Sequence, residues 1–295
     1  MAKDNSIEPI PGSVSFLDGA GELPKIQIKT ANSEAELYLH GGHLTHYQRK
    51  GEQPVLFLSQ LSRFEDRHAI RGGIPVIFPW FGAREGFPMH GFARLHEWEL
   101  KQVFPAGSKK VGVRLCLPEV PEGGIFSSFK AELEISLDDS LTIELLVTNT
   151  SSSEELSFET CLHSYFLVKD INQVSITGLK GASYLDKTDN YQRKVESAEN
   201  IKIQGEVDRL YLNTPGAVEI HDSGFGRRIR IEKSGSNSTV VWNPWIKKSE
   251  QMPDFANDEY LRMVCVESGN IGDDRITLPA GKSAKLQVVI STLPL

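Results

Sequence analysis

Leu133, Ile135 and Leu137 alternate with polar residues, Asp138-Asp139-Ser140 follows, and Leu141, Ile143, Leu145 and Val147 resume the alternation. A period of two sends successive side chains to opposite faces, so this stretch predicts a β-hairpin with one buried face. Ala284, Leu286, Val288 and Ile290 repeat the pattern near the C-terminus. Shorter runs of the same kind lie at 25–30, 36–39, 110–117, 156–168, 173–177, 217–221, 228–233, 238–242 and 261–267, separated by Gly, Pro, Asn and Ser. Many short strands with turn signals at this spacing predict an all-β sandwich or barrel with few short helices. One such helix is expected within 251–260, with Asp254 as its N-cap. No fixed-period repeat or low-complexity linker interrupts the pattern. A single domain over residues 1–295 is therefore expected, with about the first dozen residues loosely attached.

Charge narrows the choice of partner. Against 39 Asp and Glu stand 32 Lys and Arg, a net charge of −7, with no run of basic residues. Nucleic acid and anionic membranes are excluded as partners on this basis. No apolar run is long enough to cross a membrane. The N-terminal Met1-Ala-Lys-Asp-Asn-Ser lacks a basic-then-apolar leader pattern. Cys116, Cys161 and Cys265 each lie in or beside apolar runs without the spacing of a metal or redox motif. An odd number of such thiols fits a reducing, cytoplasmic setting. No assembly motif is present, and a monomer is expected.

An acidic protein that binds an anion must do so with locally placed cations. That directs attention to Arg71-Gly-Gly-Ile-Pro-Val-Ile-Phe-Pro-Trp-Phe-Gly82, continued to His90-Gly-Phe-Ala-Arg94. Gly and Pro prevent a plain helix or strand here, and Arg suits forked recognition of phosphate or carboxylate. Read alone, the segment serves equally as a binding loop or as a connection whose aromatics cap a core. His163, in Glu159-Thr-Cys-Leu-His-Ser-Tyr-Phe166, is either a hydrogen-bonded structural residue or a general acid or base. On a strand, Cys161 and His163 would share a face roughly 6.5–7 Å apart and point in parallel, which argues against a Cys nucleophile with a His base. Glu267 directly follows the apolar Met263-Val-Cys-Val266. It either closes a strand through the Ser268 and Gly269 amides or is a buried, functional carboxylate. Asp208, beside Arg209, reads as a turn residue. Trp242-Asn-Pro-Trp245 is an aromatic corner suited to core packing or to a ring-stacking wall. Neither the His40, His43 and His46 spacing nor Gly72-Gly73 matches a metal or nucleotide motif, so no metal and no cofactor are expected.

Together, several blocks resemble the aldose 1-epimerase superfamily, and within it the glucose-6-phosphate 1-epimerases. They are Arg71-Gly-Gly-Ile-Pro, Phe78-Pro-Trp-Phe-Gly82, His90-Gly-Phe-Ala-Arg94, Leu162-His-Ser-Tyr-Phe166, Val207-Asp-Arg209, Trp242-Asn-Pro244 and Val266-Glu-Ser-Gly-Asn270. Each is weak alone; their ordered combination, from about residue 30 to the C-terminus, is specific. The resemblance implies a β-supersandwich of galactose-mutarotase type and interconversion of the α and β anomers of glucose 6-phosphate. It implies His163 and Glu267 as catalytic residues and Arg71, Arg94 and Asp208 as substrate-binding ones, with His90 as a further pocket residue. Where relatives often carry a substrate-contacting Gln before the His-Gly-Phe-Ala-Arg block, this chain has Met89, which cannot make an amide's hydrogen bonds. In the implied reaction Glu267 removes the C1-hydroxyl proton as carboxylate and His163 protonates the ring oxygen as imidazolium, while the arginines hold the phosphate. Two other readings compete: a non-catalytic phosphosugar-binding sensor on the same fold, and a thiol hydrolase using Cys161.

Overall fold

The computed structural model describes residues 13–106, 110–119 and 128–295. The N-terminal dozen residues expected to be loosely attached lie outside the described residues. The regular structure of the described chain is mostly antiparallel sheet, as the alternation predicts. The 133–147 hairpin forms as Phe129–Leu137 paired with Leu141–Asn149, and Ser283–Pro294 pairs with the latter. These strands belong to an eight-stranded sheet ordered Val174–Thr177, Val218–Asp222, Arg227–Ser234, Ser283–Pro294, Leu141–Asn149, Phe129–Leu137, Lys110–Cys116 and Glu99–Ala106. Strands from Val14–Asp18 to His43–Arg49 form a four-stranded meander.

A second eight-stranded sheet carries the residues of interest. From one edge it runs Gln192–Val195, Ser183–Asp186, Val207–Tyr211, Ser238–Asn243 and Met263–Asn270, then Thr160–Leu162 and Val76–Ile77; Tyr165–Leu167 also pairs with Met263–Asn270. Every residue of Met263–Asn270 is buried, so both faces of this strand are covered. Val264 and Val266 enter the large core between the sheets. Met263 and Cys265 enter a second, smaller cluster with Trp242, Val240, Leu210, Cys161 and Tyr165. By the same alternation Glu267 and Asp208 fall on that second face.

Three local expectations are corrected. The run 156–168 is not one strand but three, Leu156–Phe158, Thr160–Leu162 and Tyr165–Leu167. It breaks at Glu159, whose carboxylate accepts the Phe81 and Gly272 amides, and again at His163, whose amide bonds Pro75 instead. The helix expected within 251–260 lies earlier, at Trp245–Ser249, and only a 3-10 turn forms at Glu259–Arg262. Pro253 disfavours helix at Met252, and the Asp254 carboxylate pairs with Arg71 rather than capping a helix. Asp208 lies within a strand, opposite Trp242, and not in a turn.

Candidate active site

Leu162 pairs with Ser268 and Tyr165 with Cys265, so one register carries through the break. That register sets His163 opposite Glu267, and opposed side chains on one sheet face lie in contact range. Nε2 of His163 lies 3.2 Å from Oε1 of Glu267, with His163 10% and Glu267 1% exposed. Cys161 Sγ donates to Oε2 of Glu267 at 3.5 Å. Burial raises the Glu267 carboxyl to about 8; Lys187 opposes the shift, Asp208 adds to it, and the Cys161 thiol opposes it. Burial also drives the His163 imidazole well below its ordinary value, reinforced by His90, Arg94 and Arg71. The resting pair therefore holds one proton and no net charge. The thiol itself stays protonated, because burial and then Glu267 push it up.

On one side of the pair the His163 ring stacks on Tyr165, centroids 4.8 Å apart at 11°. The Tyr165 hydroxyl accepts from Arg71 Nη1 at 3.0 Å, and Arg71 forks onto Oδ2 of Asp254 at 3.2 and 3.1 Å. Burial opposes the Arg71 charge, but Tyr165 and Asp254 outweigh it and hold the guanidinium charged. Arg94 is less satisfied. Its Nη2 donates to the Met89 carbonyl at 2.9 Å, while Nε is buried without a partner. Burial, and then Arg71, lower Arg94 to about 10. Two crowded guanidinium groups, one with an unused donor, form a site that an anion would complete. The Met89 side chain is 55% exposed, so this position serves through its backbone carbonyl.

The His163 ring also meets that of His90 edge to face at 5.7 Å. The left-handed backbone of His90, φ 65°, is followed by Gly91 at φ 75°. A Cβ at Gly91 would lie 2.0 Å from the Phe78 carbonyl oxygen, so only glycine fits this approach. Gly82 N–H donates to His90 Nδ1, which places the proton of the neutral ring on Nε2. Burial and the charges of Arg94, Lys187 and Arg71 hold this ring neutral, down to about 2. Phe81 packs against His90 at 4.6 Å, and Lys187 sits over Phe81 at 4.6 Å. Lys187 Nζ in turn pairs with Asp208 Oδ1 at 3.1 Å.

All six candidates, Arg71, His90, Arg94, His163, Asp208 and Glu267, thus join one connected cluster. The aromatics of the Arg71–Arg94 segment divide between the two open readings. Phe78, Trp80 and Phe92 belong to the main core, whereas Phe81 lines the site. Sequence reasoning passed over Tyr165, Asp254 and Lys187. Tyr165 lies inside a quoted motif, Asp254 was assigned to a cap, and Lys187 belongs to no motif. Ligand atoms of His163, Cys265 and Glu267 lie within 4.8 Å of one another, so this trio could hold a metal once Cys265 lost its proton. Spacing along the chain shows only Cys265 and Glu267, two apart on one strand; cross-strand pairing adds His163. A separate cavity of about 370 Å³ lined by Glu34, Glu36, His46 and Arg262 shares no residue with this cluster.

An aldose 1-epimerase family model matches residues 24–291. A "putative glucose-6-phosphate 1-epimerase" of Cenchrus ciliaris is 35% identical over 283 residues, covering 92% of this chain and 85% of the relative. One of the same description from Escherichia coli K12 is 33% identical over 249 residues, covering 84% and 83%. The crystal structure of a "putative mutarotase" from Salmonella typhimurium superposes with a TM-score of 0.89 at 29% identity, over 98% of this chain and 96% of that one. A galactose mutarotase-like protein of Clostridium acetobutylicum shares the fold, with a TM-score of 0.75 at 16% identity over 96% and 98%.

Proposed function

The chain belongs to the aldose 1-epimerase family and is an epimerase, and we propose that its substrate is a hexose 6-phosphate, glucose 6-phosphate first, whose α and β anomers it interconverts. The observation that carries the phosphate preference is the Arg71–Arg94 pair beside His163. Arg94 is buried with an unused donor next to a second cation, an arrangement that a phosphate relieves and a neutral hydroxymethyl group does not.

The chemistry follows from the proton that the His163–Glu267 pair holds. Moving it across 3.2 Å to Nε2 gives a carboxylate and an imidazolium, the form the reaction uses. Glu267 takes the C1-hydroxyl proton and His163 protonates the ring oxygen. The C1–O5 bond breaks, leaving an aldehyde at C1 and a hydroxyl at C5. Rotation about C1–C2 presents the other aldehyde face, and the ring closes with the roles reversed. No hydride or electron moves, so these residues need no cofactor. Each positioned acid or base contributes on the order of 10²–10⁴-fold. Phosphate binding also helps the acid: Arg71 and Arg94 lower the His163 imidazole, and an anion that neutralises them favours the imidazolium.

A non-catalytic sensor would need the same phosphate contacts but no acid–base pair, and the His163–Glu267 contact favours the catalyst. The test is Arg94→Ala, followed by polarimetry on α-glucose 6-phosphate and α-glucose. KM for the phosphosugar rises far more than KM for the free sugar. Equal effects on both would remove the phosphate role.

A further inference from the structure

The site has two charged ends. Asp254 and Arg71 stand at one and Asp208 and Lys187 at the other, joined through Tyr165, His163, His90 and Phe81. The arginine end reaches His163 through Tyr165. The lysine end carries the charged groups that act on Glu267, Lys187 favouring its carboxylate and Asp208 opposing it. Apart from the substrate contact that the resemblance implies for Asp208, only the arginine end has a role in the reaction described above.

The substrate's covalent structure assigns the other end. If His163 serves the ring oxygen, C5 and its C6 phosphate lie beyond that oxygen, toward the arginines. If Glu267 serves the C1 hydroxyl, the next substituent on the opposite side is the C2 hydroxyl. We propose that Lys187, held by Asp208, is a specificity-determining residue that donates a hydrogen bond to the sugar's C2 hydroxyl. This rests on the hexose-phosphate reading and adds the part of the sugar that the second end of the site recognises.

The geometry suits the role. An ammonium has three donors, and Lys187 spends one on Asp208. Its ammonium lies over the Phe81 ring, 4.6 Å from the centroid, and the Lys187 and Asp208 side chains are 18% and 17% exposed, so the pair is shielded without being sealed off. Its position also matters to the chemistry. Ring opening frees C1 to rotate about C1–C2 while the rest of the sugar must stay in place. A phosphate clamp alone leaves C2 free to turn with C1. Anchoring the C2 hydroxyl as well holds the carbon about which the aldehyde turns. The Asp208 carboxylate balances the ammonium, so the end is polar but nearly neutral and does not draw the phosphate away from the arginines.

The test compares glucose 6-phosphate with 2-deoxyglucose 6-phosphate by NMR anomer exchange, using wild type, Lys187→Met and Lys187→Arg. Lys187→Met keeps an unbranched side chain of similar length beside Phe81 and removes the charge and the donors. It should lower kcat/KM for glucose 6-phosphate roughly 10- to 100-fold, the range for a hydrogen bond to a charged group. The charge it removes also acts on Glu267, so 2-deoxyglucose 6-phosphate loses rate as well; the ratio of kcat/KM for glucose 6-phosphate over 2-deoxyglucose 6-phosphate should nonetheless fall roughly 10-fold or more, and Lys187→Arg should recover part of that ratio. Equal losses on both sugars would overturn the proposal, since a purely structural lysine acts on both. The wild type gives an independent reading that needs no variant to fold: it should prefer glucose 6-phosphate over its 2-deoxy analogue by a similar factor, and parity would overturn the proposal. Were free hexoses turned over and their 6-phosphates not, the phosphosugar reading would fail, and glucose against 2-deoxyglucose would still decide the role of Lys187.

Discussion

His163, in the two-residue break between Thr160–Leu162 and Tyr165–Leu167, stands opposite Glu267 of Met263–Asn270, in a register fixed by Leu162–Ser268 on one side and Tyr165–Cys265 on the other. Their 3.2 Å contact is therefore a property of the sheet and not of a mobile loop. Sites built on strands hold their geometry more tightly than sites on loops. The interruption at His163 adds to this, because its amide bonds Pro75, four residues after Arg71. His163 and the segment that begins at Arg71 are tied together by that bond.

The pair titrates as a unit, and its alkaline limb should be visible. With Glu267 raised to about 8, the shared proton is kept below that pH and lost above it. With His163 lowered well below its ordinary value, no second proton is added near neutrality. kcat/KM for glucose 6-phosphate should hold through neutral pH and fall about tenfold per unit beyond about pH 8. The second ionisation of the phosphate, near 6, is complete by then and does not contribute to that limb. A rate unchanged well above the alkaline limb would show that this proton is not the one used.

Gly91 tests how the segment carrying His90 and Arg94 is held. A methyl group there would meet the Phe78 carbonyl at 2.0 Å, at a φ of 75°. Gly86 has a similar φ of 76° with nothing near its missing Cβ. Gly91→Ala should therefore destabilise the protein by more than the 1–3 kcal/mol or so of left-handed strain that Gly86→Ala incurs. It should also raise KM for the phosphosugar by displacing His90 and Arg94. Thermal unfolding and kinetics on the two variants check this; equal melting temperatures would contradict the close approach.

The cysteines separate the epimerase from a thiol hydrolase. Cys161 and Cys265 are fully buried, whereas Cys116 is partly exposed. Burial also pushes the Cys161 and Cys265 thiols well up, away from the reactive thiolate. Native alkylation followed by mass spectrometry should give one adduct, at Cys116, with anomerisation retained. Rapid loss of activity through Cys161 would favour a thiol mechanism.

The fold was legible where one sheet face is apolar and the other polar. The hairpin 133–147 and the strand around 284–290 alternate cleanly because they have one wet face. His43–Arg49 was not legible, since apolar Leu44 and Tyr47 are out of alternation and His43 and Thr45 are buried with them. The break at His163 was hidden because its cause, the Pro75 carbonyl, lies 88 positions away in the chain. In the site, residues within recognisable blocks were found and their supports were not. Tyr165, Asp254 and Lys187 matter through contacts between distant segments, which leave no local pattern. Asp254 was misread for the same reason: a carboxylate before a short polar stretch looks like a helix cap, and only the fold brings Arg71 to it.

The central claim is that the His163–Glu267 pair interconverts anomers, and one comparison tests it most directly. NMR exchange between the α and β anomers of glucose 6-phosphate is measured with wild type and with Glu267→Gln, which keeps the side chain's size but cannot accept the C1 proton. The wild type should accelerate exchange without net product, and the variant should lose on the order of 10²–10⁴-fold while unfolding as cooperatively as wild type. A folded Glu267→Gln protein exchanging anomers at the wild-type rate would contradict the account.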